Sequence, residues 1–176
     1  SIYDLQRSYE FGNEDLTNDL LSLTQYYRYK TKGYRLNPPD GFIFNLQKNI
    51  VNKIENNFYS FWQCAPSGNL ANNLRYSDCN RFTAHFMQEI YGYGDFFDSS
   101  GSDDAGGGII YLNTTDLRNR LPNERWKIVG MATNKSALLE AQFLANIGKP
   151  VIAIGPGHVT VIVPGELVWS GNWNSY

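Results

Sequence analysis

The chain has 176 residues, of which 42% are hydrophobic and 15% aromatic, enough to bury the core of one domain. Charged residues make up 18%, the formal net charge is -2, and Lys and Arg are scattered rather than run together, which excludes nucleic-acid binding through a basic face. No apolar stretch approaches the roughly 18 residues that a membrane-spanning helix needs. A polar complement richer in Asn, Ser, Thr, Gly and Tyr than in Lys and Glu favours an exported protein, secreted or periplasmic.

In chain order, Leu16, Leu20, Leu21, Leu23 and Tyr27 recur at spacings of three and four and predict a helix over 13–30. Gly33 and the run Asn37-Pro38-Pro39-Asp40-Gly41 stop it and make a turn. A second helix is expected from Phe42 to Ser60, with Ile43, Leu46, Ile50, Ile54 and Phe58 along its buried face. Residues 1–60 thus read as an N-terminal helical extension, and 61–176 as the main domain. Cys64 to Arg75 reads as a loop. A third helix is expected to start at Cys79 and end near Tyr91, where Gly92 supplies a left-handed cap; Phe82, Phe86 and Ile90 form its inner face. The Ser/Gly/Asp-rich stretch from Ser99 to Gly108 reads as a solvated loop, since Asp98, Asp103 and Asp104 match no EF-hand spacing. Ser136 to Ile147 is an Ala-rich helix closed by Gly148 and Pro150. Val151–Ile154 and His158–Val163 read as strands joined by the turn Gly155-Pro156-Gly157. Pro164-Gly165-Glu166 turns again into a strand at Leu167. Helices followed by an antiparallel meander predict an α+β fold. Asn113-Thr-Thr and Asn134-Lys-Ser match the glycosylation sequon at a frequency that chance explains in so Asn-rich a chain.

Two positions carry candidate chemistry. Cys79 stands where a helix begins, after the capping types Ser77 and Asp78. Unpaired N–H groups and the dipole at a helix start favour a thiolate, the nucleophilic form, and the same N–H groups can hold an oxyanion. His158 follows Gly155-Pro156-Gly157 at the start of a strand and is the candidate general base. The chain has two histidines. His85 lies six residues beyond Cys79 on the same helix, about 240° around it, so the two side chains point apart. A turn centred on Gly165 pairs position 158 with 172, which makes Asn172 the candidate to orient the imidazole. Asn174 lies one step diagonal, Glu166 belongs to the turn, and the third group could also lie beyond Tyr176.

Tyr76-Ser77-Asp78-Cys79-Asn80-Arg81-Phe82 and Gly157-His158-Val159-Thr160-Val161-Ile162-Val163 resemble the two motifs of the NlpC/P60 and CHAP group of papain-like cysteine peptidases and amidases. The family pattern is Asp-Cys-Ser-x-Phe-Val at a helix start, then Gly-His-Val/Ile on a strand. The resemblance covers roughly residues 74–174. Asn80 stands where the family has a small Ser, and Thr83 where it has Val. The resemblance implies a papain-like domain with a central antiparallel sheet and an N-terminal helical region. It also implies hydrolysis of amide bonds in bacterial cell-wall peptides (peptidoglycan), with no metal or cofactor. Tyr76, with Asp78 and Asn80 beside the nucleophile, would serve the oxyanion and the substrate. Antibacterial amidases on this scaffold have immunity proteins, so an inhibitory protein partner is also implied.

Two other functions fit the same residues. Spread aromatic residues, including Trp62, Trp126, Trp169 and Trp173, could form the surface of a glycan- or protein-binding module in which Cys64 and Cys79 are disulfide-bonded and His158 is incidental. Acyl transfer to an amine would use the same thiol as hydrolysis.

Overall fold

The structure is a computed structural model, and it describes residues 23–58, 79–98 and 110–167. The fold is α+β. Strands β1 (Thr24–Arg28), β4 (Trp126–Met131), β5 (Val151–Gly155) and β6 (His158–Val161) form a four-stranded sheet in the order β4-β1-β5-β6, and every pairing in it is antiparallel. Helices α1 (Phe42–Lys53) and α2 (Cys79–Phe86) each continue as one π-helical turn, over Ile54–Phe58 and Met87–Tyr91. A two-stranded ribbon, β2 (Phe97–Asp98) with β3 (Ile110–Tyr111), precedes the short α3 (Thr114–Arg120), and α4 (Lys135–Asn146) lies between β4 and β5 in sequence.

β1 corrects the helix expected over 13–30: residues 24–28 are a strand hydrogen-bonded on both sides, to β4 and to β5. Thr-Gln-Tyr-Tyr-Arg is β-branched and aromatic, suited to a pleated position between two strands. Residues 1–22 lie outside the described part. β1 is part of the main sheet, and Ile50 and Ile54 of the second helix are buried in the same apolar cluster as Phe82, Phe86 and Ile152. Residues of β1 and α1 therefore share one core with the elements that follow them.

The two faces of the sheet are covered by different helices. Tyr26, Ile152, Ile154, Val159 and Val161 point to the side of α1 and α2, where they meet Ile50, Phe82 and Phe86. Tyr27, Val129, Val151 and Ile162 pack on the other side against Ala141, Leu144 and Ala145 of α4. The Ala-rich inner face of α4 is what permits this close packing. A built Cβ on Gly130 would sit 2.8 Å from the Ala137 Cβ. The β1–β4 register shifts between Gln25 and Tyr26, so Val129 is an extra residue on the β4 side.

Aromatic burial supplies much of the driving force. Phe96 and Trp126 stack with centroids 5.4 Å apart, and both are fully buried. Each such ring removes about 150–250 Å² from water, on the order of 4–6 kcal/mol of transfer free energy before conformational entropy is subtracted. The helix boundaries follow local chemistry. Asn113 caps α3 by accepting from the Asp116 N–H at 2.8 Å, and Asn134 caps α4 by accepting from the Ser136 N–H at 3.0 Å. The two sequon matches are thus helix caps. Gly92, at φ 80°, ends the segment that began at Cys79. Beyond β6 the chain is tied from both layers: Gln47 donates to the Pro164 carbonyl at 2.8 Å, and Asn146 bonds both backbone groups of Gly165 at 2.7 and 2.9 Å.

Candidate active site

Cys79 is the first described residue of α2, and it is buried, at 8% exposure. It belongs to the cluster that holds Phe82, Val159 and Val161. The Thr83 hydroxyl donates to the Cys79 carbonyl at 2.7 Å, a back-bond along the helix. Asn80 donates its Nδ2 to the Leu112 carbonyl at 3.3 Å, tying the helix start to the segment between β3 and α3. The helix as a whole packs against β6, the strand that His158 opens.

His158 pairs across the hairpin with Gly155. Residues directly opposite in an antiparallel pair share a face. A Cβ built on Gly155 would lie 2.5 Å from Leu23 Cδ2, and Leu23 packs with Ala132, Leu138 and Ala153. The Cα–Cβ bond of His158 therefore leaves the sheet on the α4 side, while Val159 and Val161 face Cys79. The structure brings the Cys79 helix onto the His158 strand, but it starts the imidazole from the opposite face of that strand. His158 is half-buried, and beside it Gly157, at φ 74°, has open space where a Cβ would go.

Tyr76, Asp78, Asn172, Asn174 and Cys64 lie outside the described residues. Glu166 is an exposed residue just after the turn at Pro164 and Gly165, and the expected strand start at Leu167 is at the limit of the described chain. His85 is a packing residue. Its Nε2 is 2.7 Å from the Tyr111 hydroxyl, and Phe97 meets its ring edge-on at 5.6 Å. Burial lowers its pKa, opposed by Glu89 one turn on.

A buried polar cluster centres on Asp95. Asp95 accepts from Arg28 Nε and from Trp126 Nε1, both at 2.8 Å, and Arg125 approaches it at 3.9 Å. Arg28 is buried, its guanidinium lies 3.6 Å from the Tyr93 ring centroid, and it also donates to the Lys30 carbonyl. Nothing local marks Asp95, because its two partners are 67 and 31 positions away. A second buried cation, Lys149, donates to the Tyr29 carbonyl at 2.9 Å and sits 4.2 Å from the Tyr34 ring centroid; burial lowers its pKa. The Tyr91 hydroxyl is enclosed without a hydrogen-bond partner, and burial pushes its pKa up.

Among the described residues, no group of three or more His, Cys, Asp and Glu side chains is placed to hold a metal ion, and no helix is long and apolar enough to cross a membrane. No protein-family model, no curated protein and no solved structure matches the chain.

Proposed function

We propose that the protein is a papain-like cysteine hydrolase that cleaves amide bonds in peptides of the bacterial cell wall and works outside the cytoplasm. The observation that carries this reading is a buried cysteine on a helix that packs on the strand opened by His158. The substrate and the site of action rest on the motif resemblance. The Cys79 thiolate attacks the scissile carbonyl, and the Cys79 backbone N–H and Tyr76 hold the oxyanion. His158 takes the thiol proton and returns it to the leaving amine, oriented by Asn172 or Asn174. Asp78 and Asn80 flank the nucleophile. Water then hydrolyses the thioester, and the acid product leaves. An inhibitory or immunity protein would act by covering this site.

On this reading the His158 side chain, whose Cα–Cβ bond leaves β6 on the α4 side, reaches the thiol past the end of that strand. Purified peptidoglycan incubated under reducing conditions with wild type, Cys79→Ala and His158→Ala, with products read by mass spectrometry, tests the proposal. Cleavage lost in both variants supports it and names the bond. Cleavage that persists in Cys79→Ala refutes the nucleophile.

The outset of His158 on the α4 face favours a second reading, a glycan- or protein-binding module without catalysis. Absence of cleavage by the wild type, together with a Cys64–Cys79 bridge in non-reducing peptide mapping, would support it.

A further inference from the structure

An open cavity of about 170 Å³ lies between α3 and β4. Its floor is apolar: Leu112, Leu117, Leu121 and Trp126 line it, and all four are buried. Arg120 and Arg125 stand at the rim with side chains 56% and 59% exposed. Their carboxylate neighbours, Asp98 and Asp95, are each 3.9 Å away, beyond hydrogen-bond range, so the guanidinium N–H groups are not committed to them. Asp95 also lines the cavity, but its charge is offset by the buried Arg28 at 2.8 Å.

The two arginines are held in register by one side chain. Asn123 donates to the Arg120 carbonyl at 2.6 Å and accepts from the Arg125 N–H at 2.7 Å and the Trp126 N–H at 3.2 Å. Two guanidinium forks over an apolar floor form a receptor for a carboxylate attached to a small apolar group. A cavity of this size holds on the order of six to eight heavy atoms, about one small residue.

We infer that this cavity binds the C-terminal carboxylate of a peptide ending in a small apolar residue. The carboxylate bridges Arg120 and Arg125, and the terminal side chain rests on the leucines. Leu112 connects the cavity to the proposed nucleophile, because its carbonyl accepts from Asn80, the neighbour of Cys79. On the cysteine-hydrolase reading, which this role presupposes, the cavity is the subsite for the free acid end of the substrate peptide.

The test is binding of N-acetyl-Ala-Ala and of its C-terminal amide to the Cys79→Ala protein, by calorimetry or by shifts in the protein NMR spectrum. The free acid should bind at least about tenfold more tightly than the amide, and Arg120→Gln and Arg125→Gln should each weaken the acid about tenfold. Arg118→Gln, an exposed change on the same helix away from the cavity, should leave binding unaltered. Equal binding of acid and amide, no effect of the Arg125→Gln change, or no binding of either up to about 10 mM would overturn the inference. All the rim changes are at exposed residues, and a melting curve by circular dichroism confirms that each variant folds. Selective acid binding without hydrolysis by the wild type would keep the cavity and discard the enzyme.

Discussion

Asp95→Ala should be among the most damaging single changes in the described core. In the native protein Arg28 Nε and Trp126 Nε1 both donate to Asp95 Oδ2 at 2.8 Å, and a second Arg28 nitrogen lies 3.4 Å from Oδ1. The Arg28 and Asp95 side chains are 9% and 14% exposed, so water screens the pair poorly. Removing the carboxylate leaves a buried guanidinium without its counter-ion and an indole N–H without an acceptor. Breaking a buried pair from one side costs about 3–5 kcal/mol. Asp95→Asn keeps an oxygen for the indole and should cost about 2 kcal/mol, the scale of losing charge assistance in hydrogen bonds. The double change Asp95→Leu with Arg28→Met leaves neither charge and should be milder than the sum of the single changes by about 2 kcal/mol or more. Urea unfolding followed by far-ultraviolet circular dichroism, with the m-value checked for constancy, measures wild type, Asp95→Ala, Asp95→Asn, the single changes Asp95→Leu and Arg28→Met, and the double change. A loss below about 1 kcal/mol for Asp95→Ala, or strict additivity in the cycle, would refute the claim that the pair is buried and coupled.

Two further predictions concern packing and pH. Gly155→Ala places a methyl 2.5 Å from Leu23 Cδ2 and should cost about 1–3 kcal/mol by overpacking, with Leu23→Ala in the same chain recovering part of that loss; equal stability of Gly155→Ala and wild type would contradict the face assigned to this hairpin. His85 is held below its ordinary pKa of 6.5 mainly by burial, so the unfolded chain takes up a proton first as pH falls. The stability tied to its neutral form is present above pH 6.5 and is lost as pH drops through the lowered value. The urea midpoint should fall from about pH 7.5 to about pH 5 more steeply in wild type than in His85→Gln. Parallel curves would rule this out.

Much of the helical layer was legible because its signals are local. Ile50 and Ile54 recur at helical spacing and are buried, Gly92 caps the segment begun at Cys79, and Gly148 follows the Ala-rich helix. The β5–β6 hairpin was legible from two apolar runs around Pro156-Gly157. β1 was misread because Leu23 and Tyr27 are four apart, and residues four apart share a face in a strand as well as in a helix. β4 was not read because the extra residue at Val129 breaks the alternation that marks a strand. α3 has seven residues and one buried side chain, Leu117, too few for a periodic pattern. At the site, residue types could be read in the sequence but facing could not. Which side His158 takes depends on its pairing with Gly155 and on the position of Leu23, far earlier in the chain.

The central claim is that Cys79 and His158 act as one chemical unit, and thiol alkylation tests it without knowledge of the substrate. In a Cys64→Ser background, the rate of Cys79 carbamidomethylation by iodoacetamide is followed from about pH 5 to about pH 9, with His158 intact and with His158→Ala. A working pair predicts rapid labelling near pH 6 that falls about tenfold or more in His158→Ala. Superimposable profiles for the two proteins would show that His158 does not reach the thiol, and would contradict the account.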